Sequence, residues 1–248
     1  MNDYIETQDN YDRGYYARSY SPNSGVLSFS SVMTRVYLWM TVALVLTAGA
    51  SFLTVASPAL LNLIFGNQAV IWVLFGIELL LVMGISMGIN RLSPVTATAL
   101  FLLYSVLNGV TLSSIFFAYS LGTITQAFAA SGLTFGAMSF VGWTIKKDLS
   151  GFGRILIMAL IGIIVASVIN IFWSNSILDS IITYAGVFLF VGLTAYDTQK
   201  IKAMSEAAEA YGDISATRRV AILGALSLYL DFINLFLYIL RLLGRNRN

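Results

Sequence analysis

The stretch ILIMALIGIIVASVINIFW, residues 155–173, contains no charged side chain. A helix rising about 1.5 Å per residue needs roughly this length to cross a hydrocarbon core of about 30 Å. The strict alternation of apolar and polar residues that marks a transmembrane barrel strand is missing. Six further segments share this character: Val36 to Ala56, Ala69 to Ile89, Val95 to Phe117, Ala127 to Ile145, Ile177 to Tyr196 and Val220 to Leu243. The sequence therefore predicts an all-α integral membrane protein with seven transmembrane helices.

The composition excludes several classes of protein. Hydrophobic residues make up 58% of the chain and charged residues 10%, whereas soluble domains are about 25% charged. The chain has no His and no Cys, which excludes disulfides, thiolate nucleophiles and zinc or haem held by these residues. We expect no enzyme activity and no cofactor, and any metal would be a hard cation such as calcium bound by oxygen. A net charge of +2 gives no reason to expect nucleic acid as a partner.

The chain divides into two parts. Residues 1–30 are rich in Tyr, Ser, Asn and Asp without a hydrophobic run, and this composition predicts a disordered cytoplasmic tail. Residues 31–248 form the predicted seven-helix domain, whose surroundings are the lipid bilayer. The longest predicted loop runs from Lys200 to Arg219, and its alanines would allow a short surface helix.

The basic residues predict the orientation of the chain. Eleven of the 14 lie before the first hydrophobic segment and in every second connection, while the alternate connections carry none. The positive-inside rule then places the N-terminus in the cytoplasm. Arg241, Arg245 and Arg247 oppose this arrangement if the seventh helix crosses fully, but we expect crossing and an external C-terminus because eleven basic residues outweigh three.

Three acidic residues, Glu78, Asp197 and Asp231, lie inside or at the edge of the hydrophobic segments. A carboxylate near the bilayer centre costs roughly 2.5–3.5 kcal/mol, so it must be neutralised, paired or hydrated. One interpretation is that each is a protonated, hydrogen-bonded packing contact. The other is that they form a functional site.

Asp231 has polar neighbours at helical spacing, which favours the functional interpretation. By residue count it lies near mid-membrane, about 18 Å along the helix from Arg219, whereas Asp197 lies only three residues before Lys200. Spacing alone therefore does not bring the two carboxylates together. The stripe on the seventh helix consists of Ser227, Asp231, Asn234 and Tyr238.

A second polar stripe, on the third segment, consists of Tyr104, Asn108 and Thr111. Asn108 is a candidate pore-lining residue, as are Ser227 and Asn234 on the seventh. The alternative is that these polar residues hold membrane helices together through hydrogen bonds.

Four stretches of the sequence are distinctive: GLTAYDTQKI (192–201), LYLDFINLF (228–236), YSVLNGVTLSS (104–114) and the segment 135–153, which ends in KKDLSGFG. Together they resemble the bacterial branch of the Bax inhibitor-1 family. The resemblance covers roughly residues 30 to 244. It implies two three-helix layers around a central C-terminal helix, in a bacterial cytoplasmic membrane. It also implies a pH-sensitive calcium leak controlled by two aspartates, which correspond to Asp197 and Asp231.

Two positions differ from the family pattern. Ser227 occupies the place where some relatives carry a further acid, so this site has one carboxylate fewer. The family's controlling basic residue near the second helix has only Arg91 as a candidate. Arg91 and Glu78 are therefore our candidates for a secondary gate or latch.

The leading functional hypothesis is a gated calcium pathway. Two adjacent carboxylates share a proton and titrate in coupled steps, and once both are ionised they can also bind calcium. The pH direction of opening depends on how the helices are arranged.

The sequence also bears on three other functions. An intramembrane aspartyl protease would need a Gly-x-Gly-Asp turn, but Leu228-Tyr229-Leu230 precede Asp231. A proton-coupled transporter would favour an inverted repeat with broken helices, which we do not find. A regulator that binds a membrane protease or cell-death and stress factors stays an alternative.

Overall fold

The computed structural model describes residues 29–210 and 214–245, and these residues form helices without strands. Most of the predicted tail, residues 1–28, lies outside the described residues. The helices are α1 (Phe29–Ala56), α2 (Pro58–Phe65), α3 (Gln68–Gly88), α4 (Pro94–Leu112), α5 (Ile115–Ala118), α6 (Leu121–Thr144), α7 (Ser150–Trp173), α8 (Ser176–Ala210) and α9 (Ile214–Arg245).

Seven segments of the described residues are long and apolar enough to span a membrane, and they consist of α1, α3, α4 together with α5, α6, α7, α8 and α9. The predicted fold class and the number of spanning helices are thereby confirmed. The predicted loop from Lys200 to Arg219 is wrong, because α8 continues to Ala210 and α9 begins at Ile214. Its alanines and glutamates are strong helix formers, so the helix continues after the hydrophobic segment has ended.

Helix α9 is the most enclosed of the spanning helices. In its most apolar window 72% of the residues are buried, compared with 6% in α7. It carries large, fully buried side chains on several faces, among them Leu226, Leu228, Tyr229 and Leu235. A helix that is apolar all round is stable in a protein core. In this bundle α9 packs against α1, α4, α6 and α8.

The other spanning helices fall into two groups. In the first, α4 packs against α1 and α3, and in the second, α8 packs against α6 and α7. Helix α9 contacts both groups, while α1 and α8 also touch each other directly. This contact pattern agrees with two groups of three around α9, and the arrangement of each group as a flat layer stays a prediction.

We predict that the two ends of the chain lie on opposite sides of the membrane. The observation behind this prediction is that α9 runs without a break from Ile214 to Arg245, a length of 32 residues. A reporter that fluoresces only in the cytoplasm should be dark when fused after Asn248 and bright when inserted beside Asp148. Fluorescence from both positions would mean that α9 re-enters the membrane on the side it left.

Candidate functional site

Asp197 on α8 and Asp231 on α9 lie on helices that pack against each other, and the charge of Asp197 acts on Asp231. Asp231 is only 5% exposed, and within the described part of the chain its Oδ2 atom has no hydrogen-bond partner. Asp197 is partly buried. A buried carboxylate oxygen without a partner is uncommon in folded proteins, because burial without a hydrogen bond carries a high desolvation cost.

The two aspartates meet because α8 is longer than its hydrophobic segment. Asp197 precedes the end of α8 at Ala210 by 13 residues, and Asp231 follows the start of α9 at Ile214 by 17. At 1.5 Å per residue these intervals correspond to about 20 Å and 26 Å along neighbouring helices. From the sequence alone, the depth of Asp197 is counted from Lys200 and that of Asp231 from Arg219. Because α8 continues beyond Lys200, that count places Asp197 too close to the membrane surface.

Ser227 completes the immediate surroundings of the pair. It lies one turn before Asp231 on α9, and its hydroxyl is within hydrogen-bonding reach of the carboxylate of Asp197. Lys200 is the cation whose charge acts on Asp197. Asn234, in contrast, donates its amide N–H to the carbonyl oxygen of Leu230 within the same helix, at 2.8 Å.

Residues next to Asp197 are held by close contacts with α6 and α7. Gly142 on α6 lies so near α8 that a Cβ atom there would overlap the backbone of Ala195. Gly153 on α7 lies directly against the ring of Tyr196, and a Cβ atom would overlap that ring. Two of the stretches that carry the family resemblance therefore pack against each other and fix the position of Asp197.

Gln199 ties the α6–α7 connection to α8. Its Oε1 atom accepts a hydrogen bond from the backbone N–H of Leu149 at 2.8 Å. Its Nε2 atom donates to the carbonyl oxygen of Lys147 at 2.9 Å. This contact was not predicted from the sequence, where a glutamine near the end of a hydrophobic segment gives no specific signal.

A cavity of about 480 Å³ opens beside Gln199, at the end of the bundle that is predicted to be cytoplasmic. Three lysines and two acids are among the residues that line it. One of the acids is Asp148, whose pKa is lowered by hydrogen bonds from the Ser150 side chain and backbone. The charged lining residues are Lys146, Asp148, Lys200, Lys202 and Glu206.

Glu78 belongs to a second buried polar cluster, the Glu78 network. Asn108 donates its amide N–H to Glu78 Oε2 at 3.2 Å, and the hydroxyl of Thr111 donates to Oε1. The hydroxyl of Tyr229 donates to Asn108 Oδ1 at 3.1 Å and is also hydrogen-bonded to Thr47 at 2.7 Å. The network therefore joins α1, α3, α4 and α9, and it includes Asn108, which was predicted to line the pore.

Arg91 lies exposed in the turn between α3 and α4. Among the residues that the structure describes, it forms no salt bridge with Asp197 or Asp231. Its predicted role as a latch is not tested by this arrangement.

The aspartate pair can exchange protons and can contribute ligands to a cation. Calcium takes six to eight oxygen ligands, and the pair with Ser227 supplies fewer protein oxygens than a tight calcium site. Within residues 29–210 and 214–245, no group of three or more acidic side chains lies together as a metal site. Such a site is suited to brief occupation by a partly hydrated ion.

These features define a class: helical multi-pass membrane proteins with an acidic pair where the most buried helix meets its neighbour. The family model described as "Inhibitor of apoptosis-promoting Bax1" matches residues 29–248. The chain therefore belongs to the Bax inhibitor-1 family.

Relatives occur in distant bacteria. The inner membrane protein YbhL of Escherichia coli K12 is 48% identical over 226 residues, which cover 91% of this chain and 95% of that protein. An uncharacterised protein of Borreliella burgdorferi is 43% identical over 223 residues, 90% of this chain and 95% of that one. An uncharacterised membrane protein of Streptococcus pyogenes is 45% identical over 170 residues, 68% of this chain and 72% of that one.

Proposed function

We propose that this protein forms a pH-sensitive pathway through which calcium leaks passively across a bacterial cytoplasmic membrane. The observation that carries the proposal is the buried, unpartnered carboxylate of Asp231, whose charge interacts with that of Asp197 across the packed helices α8 and α9. The location is supported by the bacterial origin of the relatives and by the printed name of YbhL, an inner membrane protein.

The pair is proposed to act as the gate through a shared proton. Two carboxylates at short distance in a low-dielectric site repel each other when both are ionised, so the half-protonated pair is favoured. Loss of the shared proton creates two adjacent negative charges, which either draw a cation between them or push α8 and α9 apart. Protons and calcium then compete for the same oxygens.

The surroundings of the pair support a gate that opens by a small movement. Asp197 lies on the part of α8 that Gly142 and Gln199 hold in place, whereas Asp231 lies on the enclosed helix α9. The unpartnered Oδ2 atom of Asp231 makes the present packing costly at that point. A shift that brings water or a cation to this oxygen would offset the cost.

Calcium should enter liposomes that contain the purified protein without ATP, at a rate that changes with pH. We expect the rate to differ among buffers that span about pH 5 to 8, because the charge of one carboxylate opposes ionisation of the other. A calcium-sensitive dye trapped inside the liposomes measures the rate.

Empty liposomes at each pH provide the control. If the protein adds no flux above these liposomes at any pH, the channel proposal fails. The alternative, a regulator that binds a membrane protease or cell-death and stress factors, would then be favoured.

A further inference from the structure

A second cavity opens at the other end of the bundle from the α8–α9 connection. It has a volume of about 530 Å³ and lies where α6 and α8 begin and α9 ends. We call it the arginine pocket. Among the residues that line it are Tyr119, Ser120, Thr123, Asp179, Arg241 and Arg245.

The charges of the arginine pocket are unequal. Arg241 and Arg245 lie one turn apart on α9, and both approach the single carboxylate of Asp179. The Nη1 atoms lie 3.6 Å and 3.5 Å from its two oxygens, so each pairing uses one nitrogen of a guanidinium that carries five N–H donors. Two positive charges against one negative leave a net charge of +1.

The pairing with Asp179 is weak enough to be displaced. The side chains of Arg241, Arg245 and Asp179 are 46%, 40% and 36% exposed. Exposed ion pairs of this kind contribute little to stability, whereas arginine binds phosphate oxygens through two parallel hydrogen bonds. An oxyanion could therefore take the guanidinium groups from the carboxylate.

The backbone adds to the positive potential of the pocket. Ser120 caps the N-terminus of α6 by accepting a hydrogen bond from the Thr123 N–H, and Asp179 lies in the first turn of α8. The N-terminal ends of two helices, which carry partial positive charge, thus open toward the same cavity. Tyr119 closes one side by packing directly against Gly244.

The pocket lies where the candidate membrane spans end, which is where lipid headgroups are expected. It lies at the ends of spanning helices, beside apolar side chains that are exposed on the bundle surface, such as Phe117 and Leu121. Basic pockets between transmembrane helices on the cytoplasmic side bind phosphate-containing headgroups, and the same chemistry applies at this opposite end of the bundle.

We infer that the arginine pocket binds a phosphate oxyanion, supplied either by an anionic phospholipid headgroup or by free phosphate. Arg241 and Arg245 hold the phosphate oxygens, and Asp179 competes with the ligand for both guanidinium groups. This inference does not depend on the calcium pathway, because none of its residues belongs to the aspartate pair.

If Asp179 competes with the ligand, removing its charge should strengthen ligand binding. A purely structural ion pair would not produce this increase. Native mass spectrometry of the full chain in detergent measures binding of phosphatidylglycerol, with phosphatidylcholine as the zwitterionic comparison. The double variant Arg241→Gln with Arg245→Gln should weaken phosphatidylglycerol binding about tenfold to thirtyfold. Asp179→Asn should strengthen it, and Arg154→Gln, an exposed arginine at the other end of the bundle, should leave it unchanged.

Inorganic phosphate distinguishes the two sources of the oxyanion. Binding of phosphatidylglycerol that phosphate does not displace identifies the lipid headgroup, and phosphate binding without lipid binding identifies free phosphate; both support the inference. If neither ligand responds to the arginine substitutions, the inference is refuted. Weaker binding in Asp179→Asn would also overturn the inference. It would mean that Asp179 holds the two arginines in position and does not compete with the ligand for them.

Discussion

Asp197→Asn and Asp231→Asn should each give a folded protein that has lost most of the pH dependence of its calcium flux. The double variant should be no worse than either single variant. A shared proton belongs to the pair, so removing one carboxylate already abolishes the second titration step. Residues that act as one unit give non-additive effects, and the repulsion between these two side chains makes them such a unit. Flux measured against pH at matched reconstitution levels tests this expectation.

Glu78→Gln is the comparison variant for these substitutions, and we expect it to change the pH dependence less. Both oxygens of Glu78 already accept hydrogen bonds, from Asn108 and Thr111. Wild-type pH curves in both Asn variants would instead mean that the aspartates are protonated packing contacts. If the two substitutions instead reduced the pH dependence of flux independently and additively, the proposal that the aspartates share a proton would also be refuted.

Gly142→Ala should produce the largest loss of stability among single-methyl additions in α6. The new Cβ atom would overlap the backbone of Ala195, which cannot rotate out of the way as a side chain can. Inserting atoms into well-packed contacts typically costs about 1–3 kcal/mol, and we expect the upper end here. Because Ala195 lies two residues before Asp197, the same change should alter the pH dependence of flux.

Gly136→Ala is the matched control on the same helix. A Cβ atom at Gly136 would meet nothing within 4 Å, so its free energy of unfolding should be unchanged or slightly higher. Thermal unfolding of both variants in the same detergent makes the comparison. Equal stability of the two proteins would show that α6 and α8 can separate freely at Gly142.

The seven helices could be predicted from the sequence because hydropathy and length are local properties. The end of α8 could not, since the hydrophobic segment stops near Tyr196 while the hydrogen-bonded helix continues to Ala210. The same error misplaced the depth of Asp197. Hydropathy reports where the surroundings are apolar, whereas helix length also depends on propensity and on packing against α9.

The partners of buried polar residues depend on helix rotation, which one sequence does not reveal. Glu78 and the polar stripe that contains Asn108 could each be identified in the sequence. Nothing in the sequence indicated that α4 is rotated so that this stripe faces Glu78. Asp179 and Arg245 are 66 residues apart, and the arginines attracted attention only because they opposed the positive-inside rule.

The burial of α9 has a consequence for biosynthesis. Ribosomes deliver the chain from its N-terminus, so the other six spanning helices reach the bilayer before the helix that fills the space between them. Until α9 arrives, Thr47 and Asn108 lack the Tyr229 hydroxyl that joins them, and Asp197 lacks Ser227. A chain that stops before Ile214 would therefore leave these polar groups without the hydrogen-bond partners that α9 supplies.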